Sequence, residues 1–240
     1  MTNLVIDIGN TALKAAFTQG AELGNTHRYQ GEGVMEFIKE LTLIEKPHVI
    51  LISSVRIFER GFFDSLSNEC DKLVILDNKT KLPKEDRYCA PETLGADRLA
   101  AAVATTELFP GKDCIIFDFG TALTIDFVNK KGEFSGGNIS LGLRTRFKAL
   151  NAYTQQLPLL ENPSEIKLLG STTVESIESG VVLGLIFEVE GYINRFPEHI
   201  YIFTGGDAIY FAKKMKSSIF VVYNLVLMGL ARIADYHAKF

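Results

Sequence analysis

The chain has 240 residues, 47% of them hydrophobic and 22% charged, with a formal net charge of -4. That length exceeds the usual single domain and fits two compact halves of roughly 110 to 130 residues, and the composition excludes intrinsic disorder. The acidic balance and the lack of a dense Lys/Arg run leave no basic excess to displace counterions from phosphates, so no nucleic-acid partner is expected.

Leu4 to Phe17 reads as strand, tight turn and strand: Leu4-Val5-Ile6 runs into Asp7, Gly9-Asn10-Thr11 turns, and the chain returns through Ala15, Ala16 and Phe17. Glu22 to Gln30 is a third strand, and Val34, Phe37, Ile38, Leu41 and Ile44 fall at helical spacing. Pro47 ends that helix, Val49 to Ile52 is a buried strand, Phe58 to Cys70 a weaker helix, and Leu73 to Leu76 a short strand. Asp77 to Pro91 is a polar loop, and a helix is predicted from near Glu92-Thr93 through Gly95-Ala96-Asp97-Arg98 and on to Phe109. The plan then repeats: strands at Cys114 to Phe119, Leu123 to Asn129 and Glu133 to Ile139, with Lys131-Gly132 as a turn. Helices at Leu143 to Tyr153 and Thr173 to Tyr192 follow, then a strand at His199 to Phe203, a helix at Ala208 to Met215, a strand at Ile219 to Val222 and a closing helix at Asn224 to His237. The order predicts an α/β protein with mixed, covered sheets and two related halves that meet near Gly111.

Cys70, Cys89 and Cys114 form no CxxC pair and fit reduced thiols of a cytoplasmic protein better than a disulfide framework or a zinc site. No charged leader precedes the first strand and no eighteen consecutive residues are apolar, so neither a secretory signal nor a membrane partner is expected. The four histidines are scattered without ligand spacing.

Three stretches have the small residues and backbone N–H groups that receive phosphate oxygens: Asp7 to Thr11, Asp118 to Thr124, and Phe203 to Ala208. Each alone is also an ordinary tight turn. The carboxylates Asp7 and Asp118, at matching positions of two hairpins, make the set more specific, because an acid at the end of a buried strand can hold a hydrated cation.

DxGNTxxK from Asp7 to Lys14, Gly95-Ala96-Asp97-Arg98, DxGTAxTxD from Asp118 and Gly205-Gly206 occur in an order that resembles type III pantothenate kinase, in the acetate and sugar kinase, Hsp70 and actin superfamily. The resemblance spans essentially the whole chain. It implies two RNase H-like halves, 1–112 and 113–240, with mixed sheets flanked by helices and ATP in the cleft between them. The activity it implies is ATP-dependent phosphorylation of pantothenate, the first step of coenzyme A synthesis, by a cytoplasmic homodimer.

Carried over residue by residue, the resemblance puts Asp7, Ile8, Gly9, Asn10, Thr11, Ala12, Leu13 and Lys14 against ATP, with Asp7 on Mg2+ directly or through water. Thr121, Gly205 and Gly206 join the ATP site, and Asp118 holds a monovalent cation, K+ or NH4+. Asp97 is the general base, and Tyr88, Gly95, Ala96, Asp97, Arg98 and Thr173 meet pantothenate, whose carboxylate suits a guanidinium fork. Plain structural roles stand beside these: turn aspartates at 7 and 118, a solvent-facing Lys14, a charged pair at a helix start for Asp97 and Arg98, a loop aromatic for Tyr88, and helix N-caps for Thr173 and Asp207. Leu141 departs from the family, which commonly has proline there, and puts loop geometry in question. Two other readings stand: a non-catalytic nucleotide-binding regulator of the same fold, and a sugar or acetate kinase, which the short chain and the Gly-Ala-Asp-Arg motif disfavour. Val181, Val182, Leu185, Ile186 and Val189 make a stripe fit for a core helix or a dimer face.

Overall fold

The computed structural model describes residues 1–83 and 93–239, so Tyr88 and Cys89 lie outside the described residues. The chain divides into two units, one of Met1–Gly111, Asn129–Phe134 and Asn224–Phe240, the other of Lys112–Val128 and Ser135–Tyr223.

The first unit carries strands β1 (Thr2–Ile8), β2 (Leu13–Gln19), β3 (Glu22–Tyr29), β4 (Val49–Ser54) and β5 (Lys72–Ile75). They form one sheet in the order β3-β2-β1-β4-β5, with β1 antiparallel to β2 and parallel to β4. Alternation along β1 divides the core in two. Leu4, Ile6 and Ile8 are buried with Ile38 and Leu41 of helix α1 (Val34–Ile44) and Leu66 of α2 (Arg60–Ser67). Val5 is buried with Leu99 and Val103 of α3 (Ala96–Leu108) on the other face. A strand covered on both faces needs apolar residues at every position, hence the unbroken runs Leu4-Val5-Ile6 and Val49-Ile50-Leu51-Ile52.

In the second unit β6 (Cys114–Phe119), β7 (Ala122–Val128), β8 (Phe134–Leu141), β9 (Ile200–Thr204) and β10 (Ile219–Val221) lie in the order β8-β7-β6-β9-β10, the same plan as the first sheet. β6 is antiparallel to β7 and parallel to β9, as β1 is to β2 and β4. Helices α4 (Leu143–Tyr153), α5 (Thr173–Arg195) and α6 (Ala208–Ala212) complete the unit. Its core joins Val182, Leu185 and Val189 of α5 to Phe117, Phe119, Phe203 and Phe211, with the Phe119 and Phe211 rings stacked at 4.9 Å. The valine and leucine stripe of α5 is therefore core, not surface.

Three features differ from the sequence reading. The helix predicted from near Glu92 begins, within the described residues, at Ala96, with Gly95 as its N-cap. The closing helix α7 (Leu225–His237) belongs to the first unit rather than to a contiguous 113–240 half. Its Leu227, Leu230, Ile233 and Ala234 share a core with Leu99, Ala100 and Val103 of α3, and Gly229 lies so close that a Cβ there would stand 1.8 Å from the Ala100 carbonyl oxygen. The turn at Asn129–Phe134 also belongs to that unit: Gly132 has φ +87, and a Cβ on it would stand 2.7 Å from the Thr106 methyl of α3.

Candidate active site

In the first unit the site is built from the β1–β2 loop, the end of β4 and the start of α3. Asp7 is the last but one residue of β1, and its register partners are Lys14 on β2 and Ser53 on β4; Lys14 in turn faces Arg28 on β3. Directly paired residues share a sheet face, so Ser53, Asp7, Lys14 and Arg28 form one polar row. It is the face that Val5 and Ala16 share, in one core, with Leu99 and Val103 of α3 and with Leu227 and Leu230 of the closing helix, which packs on β1 and β2 while α3 packs on that helix and on β4. Ser53 is fully buried, and its Oγ has no hydrogen-bond partner among the described residues.

The loop itself is closed by Gly9 N donating to Ala12 O at 3.0 Å, while Asn10 and Thr11 are exposed at its tip. Ile8 and Leu13 are core residues, so only their backbone is available to a ligand. The chain after β4 grips the loop from behind. Val55 N donates to Ile8 O at 3.1 Å, and Arg56 donates from Nε to Gly9 O at 2.9 Å and from Nη2 to Asn10 O at 3.1 Å. The Ser54 hydroxyl donates to Arg56 O and accepts from Arg56 N.

At the start of α3, Asp97 lies in the first turn, where an anion is favoured by the helix dipole. Its Oδ1 accepts from Arg98 N at 2.8 Å and lies 2.6 Å from where a Cβ on Gly95 would stand, so glycine there leaves the carboxylate its place. The Arg98 guanidinium is 5.6 Å from the centre of the buried Phe134 ring, within cation–π range.

In the second unit Asp118 repeats the position of Asp7, with Thr124 across the hairpin where Lys14 stands in the first and Thr204 on the parallel neighbour. Gly205 has φ +90, and a Cβ there would fall 2.4 Å from Asp118 Oδ1 and 2.6 Å from Phe119 O. Only glycine fits there; the Phe119 carbonyl also accepts from Asp207 N at 3.2 Å, and carboxylate and carbonyl oxygens are hard donors of the kind that suit an alkali or alkaline-earth cation. A Cβ on Gly206 would meet nothing, so the two glycines are not equivalent. Asp207 takes the N-cap position of α6 but makes no cap bond with its side chain. It instead accepts from Asn162 Nδ2 at 3.3 Å, and burial raises its carboxyl above the ordinary range against that bond and the charge of Arg144.

Thr121 sits at the tip of the β6–β7 loop, which is braced from below: its carbonyl accepts from Gly142 N at 3.1 Å and from the Thr145 hydroxyl at 2.6 Å. A Cβ on Gly142 would stand 2.1 Å from Gly120 O. Leu141 ends β8, half-exposed, and its carbonyl accepts from Arg146 Nε at 2.8 Å; the same guanidinium is paired with Glu188.

Thr173 is the first residue of α5, and the N-cap is Thr172, whose Oγ1 accepts from Glu175 N at 3.2 Å. The Glu175 carboxylate reaches back to Ser171 N at 2.8 Å and its hydroxyl at 2.5 Å, a reciprocal cap that fixes this turn. The N-cap role given to Thr173 thus falls one residue earlier. Thr173 lines a cavity of about 1150 Å³ with Thr172, Ser176, Arg146, Leu150 and Tyr153.

Sequence reasoning passed over Ser53, Arg56 and Phe134. Arg56 carried a signal, since it stands two residues beyond Ser54, the end of the strand beside β1; Phe134 under Arg98 carried none, because a distant turn delivers it. Among the described residues no group of three or more His, Cys, Asp and Glu could hold a metal ion, and no helix is long and apolar enough to cross a membrane.

Residues 3–195 match the family model described as type III pantothenate kinase. A relative named type III pantothenate kinase from Cytophaga hutchinsonii is 41% identical over 239 residues, covering 98% of this chain and 99% of its own. Among solved structures, the fold is similar to that of a protein named as a Baf family transcriptional activator from Campylobacter jejuni (TM-score 0.67, 19% identity, 99% and 100% of the two chains). It is also similar to the activator of 2-hydroxyisocaproyl-CoA dehydratase from Clostridium difficile with bound ADPNP (TM-score 0.61, 14% identity, 100% and 96%). At those identities the structures establish the fold alone, that of the actin, Hsp70 and sugar kinase ATPases. Family membership rests on the sequence match over nearly the full length: the chain belongs to the type III pantothenate kinase family.

Proposed function

We propose that this protein transfers the γ-phosphoryl group of ATP to the primary hydroxyl of pantothenate, giving 4'-phosphopantothenate and ADP. The observation that carries this reading is one sheet face that holds Asp7 and Lys14 and shares its core with the helix whose first turn bears Asp97. Phosphoryl transfer asks a protein for alignment, charge neutralisation and a proton acceptor rather than covalent chemistry.

In this reading the Gly9–Thr11 loop donates to phosphate oxygens, Lys14 neutralises them, and Asp97 accepts the hydroxyl proton as the bond to phosphorus forms. Arg98, backed by Phe134, takes the pantothenate carboxylate, and Gly95, Ala96 and Thr173 line its path. Tyr88 keeps the substrate role that the family gives it, on residues the structure does not describe. Mg2+ bound with ATP would offset the phosphate charge; Asp7 would hold it, directly or through water, with the Ser53 hydroxyl on the neighbouring strand. Thr121, Gly205 and Gly206 join the ATP site, and Asp118 with the Phe119 carbonyl would hold K+ or NH4+.

We assign the protein to the cytoplasm and to a homodimer. The support for the second is exposed apolar surface beyond the core stripe of α5: Leu168 and Leu169 are 75% and 83% exposed, and Phe187 on the helix is 57% exposed. A coupled assay of ADP release tests the function, with wild type and Asp97→Asn in potassium and in sodium. Pantothenate-dependent, potassium-stimulated turnover that falls by about a hundredfold or more in the variant supports it. ATP binding without turnover in either cation refutes it and leaves a nucleotide-binding regulator.

A further inference from the structure

We propose that Arg56 is a positioning residue for nucleotide binding, acting through the carbonyls of the β1–β2 loop. The inference rests on the assignment of Gly9–Thr11 to ATP phosphates made above.

Phosphate can be received by this loop only if its N–H groups face the ligand and its carbonyls face away, because a carbonyl oxygen turned toward a phosphate repels it. In a short turn with glycine at its start that orientation is not assured: a peptide plane that flanks glycine can rotate at low steric cost. In this chain two consecutive carbonyls, those of Gly9 and Asn10, are held by one guanidinium, at 2.9 and 3.1 Å. Charge-assisted bonds of this kind are roughly twice as strong as neutral ones. The planar fork also fixes both acceptors at once, which an ammonium on a flexible stem cannot do.

Arg56 is itself held. Its backbone N–H and carbonyl both bond the Ser54 hydroxyl, and Val55 N ties the same segment to Ile8 O, at the last residue of β1. The segment Ser54–Arg56 is thus a brace anchored on β4 that reaches across to the end of β1 and holds the loop by its carbonyls. The β6–β7 loop is braced by different means, through the glycine close approach at 142 and the Thr145 hydroxyl. Besides aligning the loop, the guanidinium places a fixed positive charge directly behind the peptide groups that would meet the phosphates, where its field adds to theirs.

The test is calorimetric titration of Mg·ATP and Mg·ADP into wild type, Arg56→Ala and Arg56→Lys, with thermal unfolding and steady-state kinetics on the same samples. Arg56→Ala should weaken both nucleotides about tenfold or more, the equivalent of roughly two charge-assisted bonds discounted for solvent access. Arg56→Lys, which keeps the charge and one bond, should recover part of that loss. KM for pantothenate should stay within about twofold while KM for ATP rises in step with the dissociation constant, a split that general loosening of the fold would not give. Wild-type-like nucleotide affinity in Arg56→Ala overturns the inference and leaves the ATP-loop assignment standing. Failure of wild type itself to bind nucleotide overturns both. A rise in both KM values together with an unfolding temperature lowered by more than about 5 °C would show a structural role only and also overturn it.

Discussion

Gly229→Ala offers a test of the packing that holds the Asp97 helix, and its sign is decided by magnitudes. In a solvated helix interior, replacing glycine by alanine stabilises by about 1 kcal/mol through backbone entropy. At Gly229 the added Cβ would stand 1.8 Å from the Ala100 carbonyl oxygen and 2.5 Å from its carbon, well inside contact distance and against backbone that cannot rotate aside. Helices α7 and α3 must separate by about 1 Å or more, and overpacking of this kind costs about 1–3 kcal/mol, at the upper end here. The net is a loss of about 2 kcal/mol, which for a chain of this size lowers the unfolding temperature by roughly 4–8 °C. Gly191 on α5 is the control: a Cβ there meets nothing within 4 Å, so Gly191→Ala should raise the unfolding temperature by about 2–4 °C. Because α3 begins with Ala96 and Asp97, its displacement should also lower turnover, by about tenfold to a hundredfold for a shift near 1 Å. Scanning calorimetry of the two variants decides the matter. A Gly229→Ala protein as stable as wild type would refute the close α3–α7 approach and the reason for placing the closing helix in the first unit.

Other outcomes follow from particular contacts. Gly205→Ala combines positive-φ strain, about 1–2 kcal/mol, with overlap on Asp118 and Phe119; chemical denaturation should show a loss of about 3 kcal/mol, and retained stability would mean that the turn has a different conformation. The Glu175 carboxyl is held down to about 2 by the Lys167 ammonium and then by the Ser171 hydroxyl and amide. A folded-state value below the unfolded one contributes stability that is present above about pH 4.5 and is lost as pH falls toward 2. Wild type should therefore lose more thermal stability than Glu175→Gln between pH 5 and about pH 2.5, and parallel pH profiles would contradict the assignment. Phe134→Leu removes the ring under Arg98 and should raise KM for pantothenate about two- to fivefold with KM for ATP unchanged; equal effects on both substrates would argue against Arg98 as the carboxylate ligand.

The β1–β2 hairpin, the bounds of α1 and α4 and the repeat of the strand plan were legible because the apolar runs, the 3.6-residue spacing and the glycine punctuation all act locally. What could not be read were the tertiary choices. Nothing in the pattern of α7 says which unit it covers, because an apolar stripe reports that a face is buried and not against what. The start of α3 was read too early, since Gly95 as N-cap is known only once Asp97 is seen folded against it. Thr172 and Thr173 are chemically equivalent caps, and only the hydrogen bond to Glu175 N separates them. Asp207 was read as a cap from its place before a helix, whereas its side chain turns to Asn162.

The place of α7 has a consequence for how the protein is made. Residues 225–237 complete the core over which the Asp97 helix lies, yet the whole of 112–223 is synthesised between that core and its cover. At ribosomal rates of about 5–20 residues per second, Val5, Leu99 and Val103 wait roughly 6–25 s for Leu230 and Ile233. During that interval the apolar face of the first sheet and of α3 has no helix to cover it, while the second unit emerges with all of its own elements already in hand. The nascent first unit is thus the part of the chain most exposed to misassociation and most suited to chaperone protection, and its binding face can take final form only after the second unit has been translated.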